Sequence, residues 1–77
     1  MQELKDIIAK ELGITAETLT SDFKLFDTGG MDSLDTFEVM MEIEDTFDIH
    51  IPDSTLQLVN TYGQLEEIVV KLIKEKQ

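Results

Sequence analysis

Apolar side chains recur at helical spacing near both ends of the chain. In the first segment the apolar positions are Leu4, Ile7, Ile8 and Leu12. Charged residues take the opposite side and Gly13 follows, which predicts a first helix from about Gln2 to Leu12. In the last segment the apolar positions are Leu65, Ile68, Val69, Leu72 and Ile73. Thr61 and Gln64 have the spacing of a capping box before this segment, which predicts the start of a fourth helix.

The middle of the chain contains one long and one short helical segment. No glycine or proline interrupts the residues from Ser33 to about Phe47, where Met, Leu and Glu favour a second helix. Pro52 favours extended backbone before it, and Asp53 is placed to cap a short third helix through about Val59.

Residues 14–31 have the pattern of a long loop fixed by apolar anchors. These anchors are Leu19, Phe23, Leu25 and Phe26. Gly29 and Gly30 near its end allow a sharp turn into the second helix. Three amphipathic helices, one short helix and one long loop predict a single all-α bundle over residues 1–77.

The net charge and the absence of cysteine exclude several classes of function. The 77 residues include 17 acidic and 6 basic side chains, a net charge of −11, and no cysteine. This charge excludes nucleic acid and favours basic protein partners. Without cysteine the chain has no disulfide and no thiolate of its own, so thiol chemistry must be imported. No apolar run approaches the length of a membrane span and the start lacks the pattern of a signal peptide. We therefore expect a cytoplasmic, soluble protein that does not insert into membranes, and we expect a monomer.

The second helix has two contrasting faces. Its acidic residues fall within an arc of roughly 80° and are Asp35, Glu38, Glu42 and Asp45. Its apolar residues spread over roughly 220°, where a surface helix needs little more than 100°. Either this helix is the central one in the bundle, or part of the arc faces a cavity or a partner, where the adaptable Met40 and Met41 would be useful.

Ser33 stands at the head of this helix, after Asp32. The unpaired amide N–H groups and the positive end of the helix dipole would favour a phosphate there. An ordinary N-cap serine would occupy the same position. The local sequence leaves both interpretations open.

A longer pattern surrounds this serine. The string Gly30-Met31-Asp32-Ser33-Leu34-Asp35-Thr36-Phe37-Glu38 is followed by Glu42-Ile43-Glu44-Asp45-Thr46-Phe47 and by Ile51-Pro52-Asp53. Together these strings closely resemble the acyl carrier protein family, and the resemblance extends over nearly the whole chain. It implies an all-α, four-helix acyl-carrier-type bundle with a long first loop and a short third helix.

The resemblance also implies a cofactor. Ser33 would bear 4′-phosphopantetheine, with Asp32 and Leu34 beside it, attached from coenzyme A by a phosphopantetheinyl transferase with bound Mg²⁺. The thiol of this group would carry an acyl group as a thioester between enzymes. We predict no catalytic residues and no metal site, because the local sequence places no base beside Ser33 and His50 is the single histidine.

Two surfaces follow from the resemblance. Partner enzymes with basic docking patches, which would be acyl-transferring, condensing or ligase enzymes, would contact Asp35, Glu38, Met41, Glu42, Glu44 and Asp45. Glu42 is included only because helical geometry places it on the same face. The family often has a small apolar residue at this position. An acyl pocket would be lined by Phe26, Val39, Met40, Ile43, Ile51, Leu56 and Leu65. Leu56 and Leu65 are larger than is usual at the pocket, so we expect a shallower cavity than in carriers of long chains.

The pathway stays open at this point. Leu34-Asp35 is the pattern of fatty-acid carriers and favours fatty-acid or related acyl biosynthesis (polyketide, lipid). Residues 26–31 lack the Asp-Leu-Gly-Ala common in those carriers, and residues 42–49 resemble the D-alanyl carrier protein of teichoic acid synthesis. A D-alanyl or aminoacyl carrier is therefore an alternative.

Two alternatives come from other classes of protein. An unmodified acidic helical adaptor would share every surface prediction and differ at Ser33. A calcium-binding helical protein is excluded, because no stretch has the ligand pattern of a calcium loop.

Overall fold

The computed structural model describes residues 2–26 and 33–76. The α-helices in these ranges are α1 (Gln2–Leu12), α2 (Ser33–Phe47), α3 (Asp53–Leu56) and α4 (Tyr62–Lys76). The predicted all-α bundle is confirmed, and so are the bounds of the first two helices. Within the described ranges, β-structure is limited to an isolated bridge between Lys24 and Thr61. Asp32, Gly29 and Gly30, which carried predictions, lie outside the described residues.

One hydrophobic core joins α1, α2 and α4 with the loops between them. Its buried members are Leu4, Ile8, Ala9, Leu19, Leu25, Val39, Met40, Ile43, Ile51, Val59, Tyr62, Leu65 and Val69. The Tyr62 hydroxyl donates a hydrogen bond to Glu66 at 2.7 Å, which satisfies the polar end of this buried side chain. Burial, followed by this contact with Glu66, raises the pKa of Tyr62.

Gly13 ends α1 as the sequence predicts. Its φ of 71° is left-handed, a conformation that costs glycine little. The Ile14 N–H donates to the Ala9 carbonyl at 3.0 Å and the Gly13 N–H to the Lys10 carbonyl at 3.3 Å. This is the Schellman pattern, which satisfies carbonyls that the end of a helix leaves open.

The loop between α1 and α2 contains a 3₁₀-helix at Ala16–Thr18 and is attached to the start of α4. The Leu25 N–H donates to the Asn60 carbonyl, and the Tyr62 N–H to the Phe23 carbonyl, both at 2.9 Å. The buried Leu19 and Leu25 and the partly buried Phe23 confirm three of the predicted apolar anchors, whereas Phe26 is 37% exposed and does not anchor the loop in the core. Its described part is therefore fixed from both the core and the backbone of α4.

The start of α4 has the predicted capping box. The Gln64 N–H donates to Thr61 Oγ1 at 3.3 Å, and the Thr61 N–H donates to Gln64 Oε1 at 3.1 Å. Gly63 lies so close to the preceding loop that a Cβ there would be 2.9 Å from the Ser21 carbonyl oxygen. A side chain at this position would force the loop to move.

Helix α3 differs from its prediction at both ends. Pro52 is its N-cap residue, so the predicted cap at Asp53 is wrong, and the helix ends at Leu56 rather than near Val59. Beyond Leu56 the backbone bonds span three residues, from the Leu58 N–H to Thr55 and from the Val59 N–H to Leu56. These tighter turns bring Val59 into the core, where it is 3% exposed.

Candidate functional site

Ser33 is the first residue of the 15-residue helix α2. This confirms the predicted position of the helix start, where amide N–H groups have no partner within the helix. Asp35, in the first turn, is placed favourably for the helix dipole. Leu34, which follows the serine, is 65% exposed. The predicted attachment site therefore lies where an anion is electrostatically favoured and where the next side chain faces solvent.

The apolar arc of α2 divides into two parts. Val39, Met40 and Ile43 are 0–7% exposed and belong to the core. Leu34, Phe37 and Met41 are 49–65% exposed, and we call them the outer strip. Their spacing of three and four residues places them on one side of the helix. Part of the wide arc therefore packs in the core and part exposes a strip of large side chains, and contact of this strip with a partner stays a prediction.

Three carboxylates gather where α1 meets α2. Glu11 of α1 joins Asp35 and Glu38, with oxygens of all three within 4.8 Å of one another. Partial loss of solvent between the helices raises the pKa of Glu11, although the side chain is largely exposed, and the negative charges of Asp35 and Glu38 raise this pKa further. Exposed carboxylates commonly cluster without binding an ion, and we assign no metal to them.

The predicted acidic residues do not all share one environment. Glu38, Glu42 and Asp45 are exposed and Asp35 is half-buried, so these four form a continuous acidic stripe along α2. Glu44 instead bonds to the segment after the helix. Its Oε2 accepts a hydrogen bond from the Ile51 N–H at 2.7 Å and lies 3.2 Å from His50 Nδ1.

The end of α2 is also attached to the end of α4. Asp48 follows the helix with a left-handed φ of 55°. Lys76 Nζ donates to the carbonyl oxygens of Phe47 and Asp48 at 3.3 and 3.1 Å, and it pairs with Asp48 Oδ2 at 3.0 Å. A cation at the end of a helix satisfies open carbonyls and stabilises the dipole. Together with Glu44, this contact fastens the end of α2 that lies far from Ser33.

A groove of about 480 Å³ lies beside the first turns of α2. Its lining residues are Phe26, Thr36, Asp53, Leu56, Gln57, Val59 and Asn60. Phe26 and Leu56 were predicted to line an acyl pocket, and the structure places them here. The other predicted pocket residues lie in the buried core and are Val39, Met40, Ile43, Ile51 and Leu65.

Sequence reasoning missed several residues near these surfaces. Thr36 follows Ser33 by three residues, so helical spacing could have placed it near the serine. Phe37 was recognised as apolar, but nothing in the sequence distinguishes its exposed position from the buried one of Ile43. Gln57 and Asn60 line the groove only because tertiary packing brings them to α2. Glu11 lies near Asp35 because α1 packs against α2.

Comparison with known protein families identifies a match over most of the chain. A family model described as phosphopantetheine attachment site matches residues 2–69. The match includes α1, α2, α3 and the first half of α4, and therefore both the groove and the outer strip. Separately, each helix among the described residues is too short or too polar to span a bilayer.

Proposed function

The chain belongs to the phosphopantetheine attachment site family, and from this premise we propose that Ser33 is the residue that bears the group. The family's prosthetic group, 4′-phosphopantetheine, is the cofactor that the sequence predicts. A domain of this family is a carrier and is not itself catalytic. The observation that carries the proposal is the position of Ser33 at the first residue of α2, between Asp32 and the exposed Leu34.

The surroundings of Ser33 fit a phosphodiester and an amide-containing arm. The first amides of α2 and its dipole favour the phosphodiester anion. The groove beside the first turns of α2 contains the polar side chains of Thr36, Gln57 and Asn60, whose groups can exchange hydrogen bonds with amides and hydroxyls. When attached, the group supplies a thiol that holds an acyl group as a thioester. The chain has no cysteine that could compete for that acyl group.

We propose that residues 1–77 act as one carrier domain that presents α2 to partner enzymes. The proposed docking surface combines the acidic stripe with the outer strip, so a partner would offer basic side chains around an apolar patch. Charge attraction would raise the association rate, and burial of Phe37 and Met41 would stabilise the complex. Glu44 was also predicted to contact partners, but its bond to the Ile51 N–H supports a structural role for this residue.

The partners follow from this chemistry. A phosphopantetheinyl transferase would modify Ser33, and acyl-transferring, condensing or ligase enzymes would load and unload the thiol. Fatty-acid or related acyl biosynthesis is supported by Leu34-Asp35, and aminoacyl transfer by residues 42–49. Both cargoes are acyl groups, so both interpretations use the same thioester chemistry. Action as a cytoplasmic monomer stays a prediction.

Intact-mass measurement tests the attachment site. Incubation with coenzyme A, Mg²⁺ and a broad-specificity phosphopantetheinyl transferase should add one phosphopantetheine, and Ser33→Ala should abolish the gain. Ser54→Ala is a matched control, because Asp53-Ser54 repeats the Asp-Ser pair at the start of α3. The control should gain the same mass as the wild type. A wild-type protein that stays at its unmodified mass would instead be the acidic adaptor.

A further inference from the structure

Two consecutive methionines of α2 lie in different environments. Met40 is 7% exposed and belongs to the core, whereas Met41 is 49% exposed on the outer strip. We infer that Met41 is a reversible oxidation site, at which a neutral hydroperoxide converts the thioether to a sulfoxide and thereby weakens the docking of partner enzymes. This inference rests on the proposed function of Ser33 and on the proposed docking surface of α2.

Exposure decides which of the two thioethers reacts. Oxidation of a methionine depends on access of the oxidant to its sulfur. Met40 belongs to the buried core cluster, and packed interiors leave little free space for a peroxide molecule. The chain has no cysteine, so before the prosthetic group is attached it has no thiol that would consume the oxidant first. Met41 is therefore the more reactive of the two sulfur groups.

The charge around Met41 selects the class of oxidant. By helical spacing, Glu38 and Asp45 lie within about 60° of Met41 around the axis of α2. Both carboxylates are exposed, and the whole chain has a net charge of −11. These charges repel an anionic oxidant and have little effect on a neutral one. Hydrogen peroxide, a small neutral hydroperoxide, is therefore the oxidant that this surface admits.

The oxidation step needs no other group of the protein. The sulfur lone pair attacks one oxygen of hydrogen peroxide, so that an S–O bond forms while the O–O bond breaks. The sulfur is oxidised and the peroxide is reduced. The departing hydroxide takes the proton of the transferred oxygen and leaves as water.

The sulfoxide changes the docking surface but not the core. Oxidation converts a flexible apolar side chain into a polar one. If a partner buried this new oxygen beside Phe37 without donating a hydrogen bond to it, the complex would lose stability. Because Met41 lies outside the buried core cluster, the same change leaves the packing of the bundle intact.

The first experiment locates the oxidation. The unmodified full chain is exposed briefly to hydrogen peroxide, catalase removes the excess, and peptide mass mapping finds the added oxygen. Met41 should gain oxygen severalfold faster than Met40. Equal rates, or faster oxidation of Met40, would overturn the inference.

The second experiment measures the effect on recognition. Oxidation of Met41 should lower kcat/KM for the phosphopantetheinyl transferase by about fivefold or more, mainly through a higher KM, because an interface contact is weakened. Methionine sulfoxide reductases for both epimers should restore the original value. An unchanged kcat/KM after complete oxidation of Met41 would overturn the inference. A melting temperature lowered by about 4 °C or more would also overturn it, because the loss would then be structural.

Two matched variants assign the effect to one sulfur. Met41→Leu and Met40→Leu each replace a thioether by an apolar side chain of similar volume. Each variant is compared with itself before and after peroxide. Met41→Leu should keep its own kcat/KM although it retains Met1 and Met31, whereas Met40→Leu should lose as much as the wild type.

The outcomes separate this inference from the proposed function. A loss of kcat/KM in peroxide-treated Met41→Leu would assign the effect to another methionine and overturn the inference. The attachment at Ser33 would be unaffected by that result. Failure of the untreated wild type to gain phosphopantetheine, seen by intact mass, would overturn the proposed function itself.

Discussion

The inner and outer faces of α2 are both apolar, and the fold uses them differently. Val39, Met40 and Ile43 are packed in the core, whereas Phe37 and Met41 remain about half or more exposed. The same type of side chain therefore stabilises the bundle on one face and is available for contact on the other. Large exposed apolar residues beside a charged stripe are typical of protein-binding surfaces. Hydrophobicity along one helix is thus a poor guide to burial unless the neighbouring elements are known.

The largest expected effect is on the inner face. Ile43→Ala should lower the free energy of unfolding by about 2–5 kcal/mol, because it removes buried methyl groups and leaves a cavity. Phe37→Ala on the outer face should change it by no more than about 0.5 kcal/mol. Urea titration of both variants measures the difference. Equal losses would contradict the division of α2 into two faces.

The second effect is on recognition by the outer face. Phe37→Ala should lower kcat/KM for modification by the phosphopantetheinyl transferase by about tenfold, the size of a modest interface hot spot. Leu58→Ala is the matched control, since Leu58 is 74% exposed but lies outside the outer strip. The control should leave kcat/KM within about twofold of the wild-type value. A similar loss in both variants would argue against a docking surface on α2.

A third prediction compares the contributions of Glu44 and Glu42 to stability. Glu44→Ala should lower the free energy of unfolding by about 1 kcal/mol, because the Ile51 N–H loses its acceptor. Glu42→Ala should leave stability unchanged or slightly higher, because an exposed like-charged residue is removed from the stripe. Urea titration at one ionic strength distinguishes them. If Glu42→Ala cost more than Glu44→Ala, the structural role of Glu44 would be excluded.

The smallest effects should come from charge repulsion between α1 and α2. The raised pKa of Glu11 means that the folded state binds a proton more readily than the unfolded state. This contribution therefore favours folding as the pH falls from about 7 towards the ordinary carboxyl pKa, and is lost as the pH rises again. When the pH is lowered from about 7 towards the ordinary carboxyl pKa, the melting temperature of the wild type should rise more than that of Glu11→Gln.

Salt measures a second repulsion, the one among the carboxylates of the acidic stripe on α2. Added salt or divalent cations should raise the melting temperature by screening Asp35, Glu38, Glu42 and Asp45. A flat response between low and moderate ionic strength would count against repulsion along the stripe. Calorimetric scans at several salt concentrations make this measurement.

Local signals predicted the helices well where several of them agreed. Gly13 ends α1, and the capping box of Thr61 and Gln64 starts α4, because each signal acts between residues that are neighbours along the chain. Prediction failed at the start of α3. Asp is a favourable residue type for an N-cap, but Pro52 rather than Asp53 occupies the N-cap position. Helix α3 ends at Leu56 and Val59 beyond it is buried in the core, which a local pattern does not reveal.

The candidate site divides in the same way. Residue spacing was enough to place Ser33 at the start of a helix and to align the acidic stripe, because helical periodicity is a property of the chain itself. Tertiary structure decided the meeting of Glu11 with Asp35, the attachment of Glu44 to Ile51, and the groove beside the first turns of α2. These contacts join residues from different elements, and packing among those elements also decided that Ile43 is buried while Phe37 is exposed.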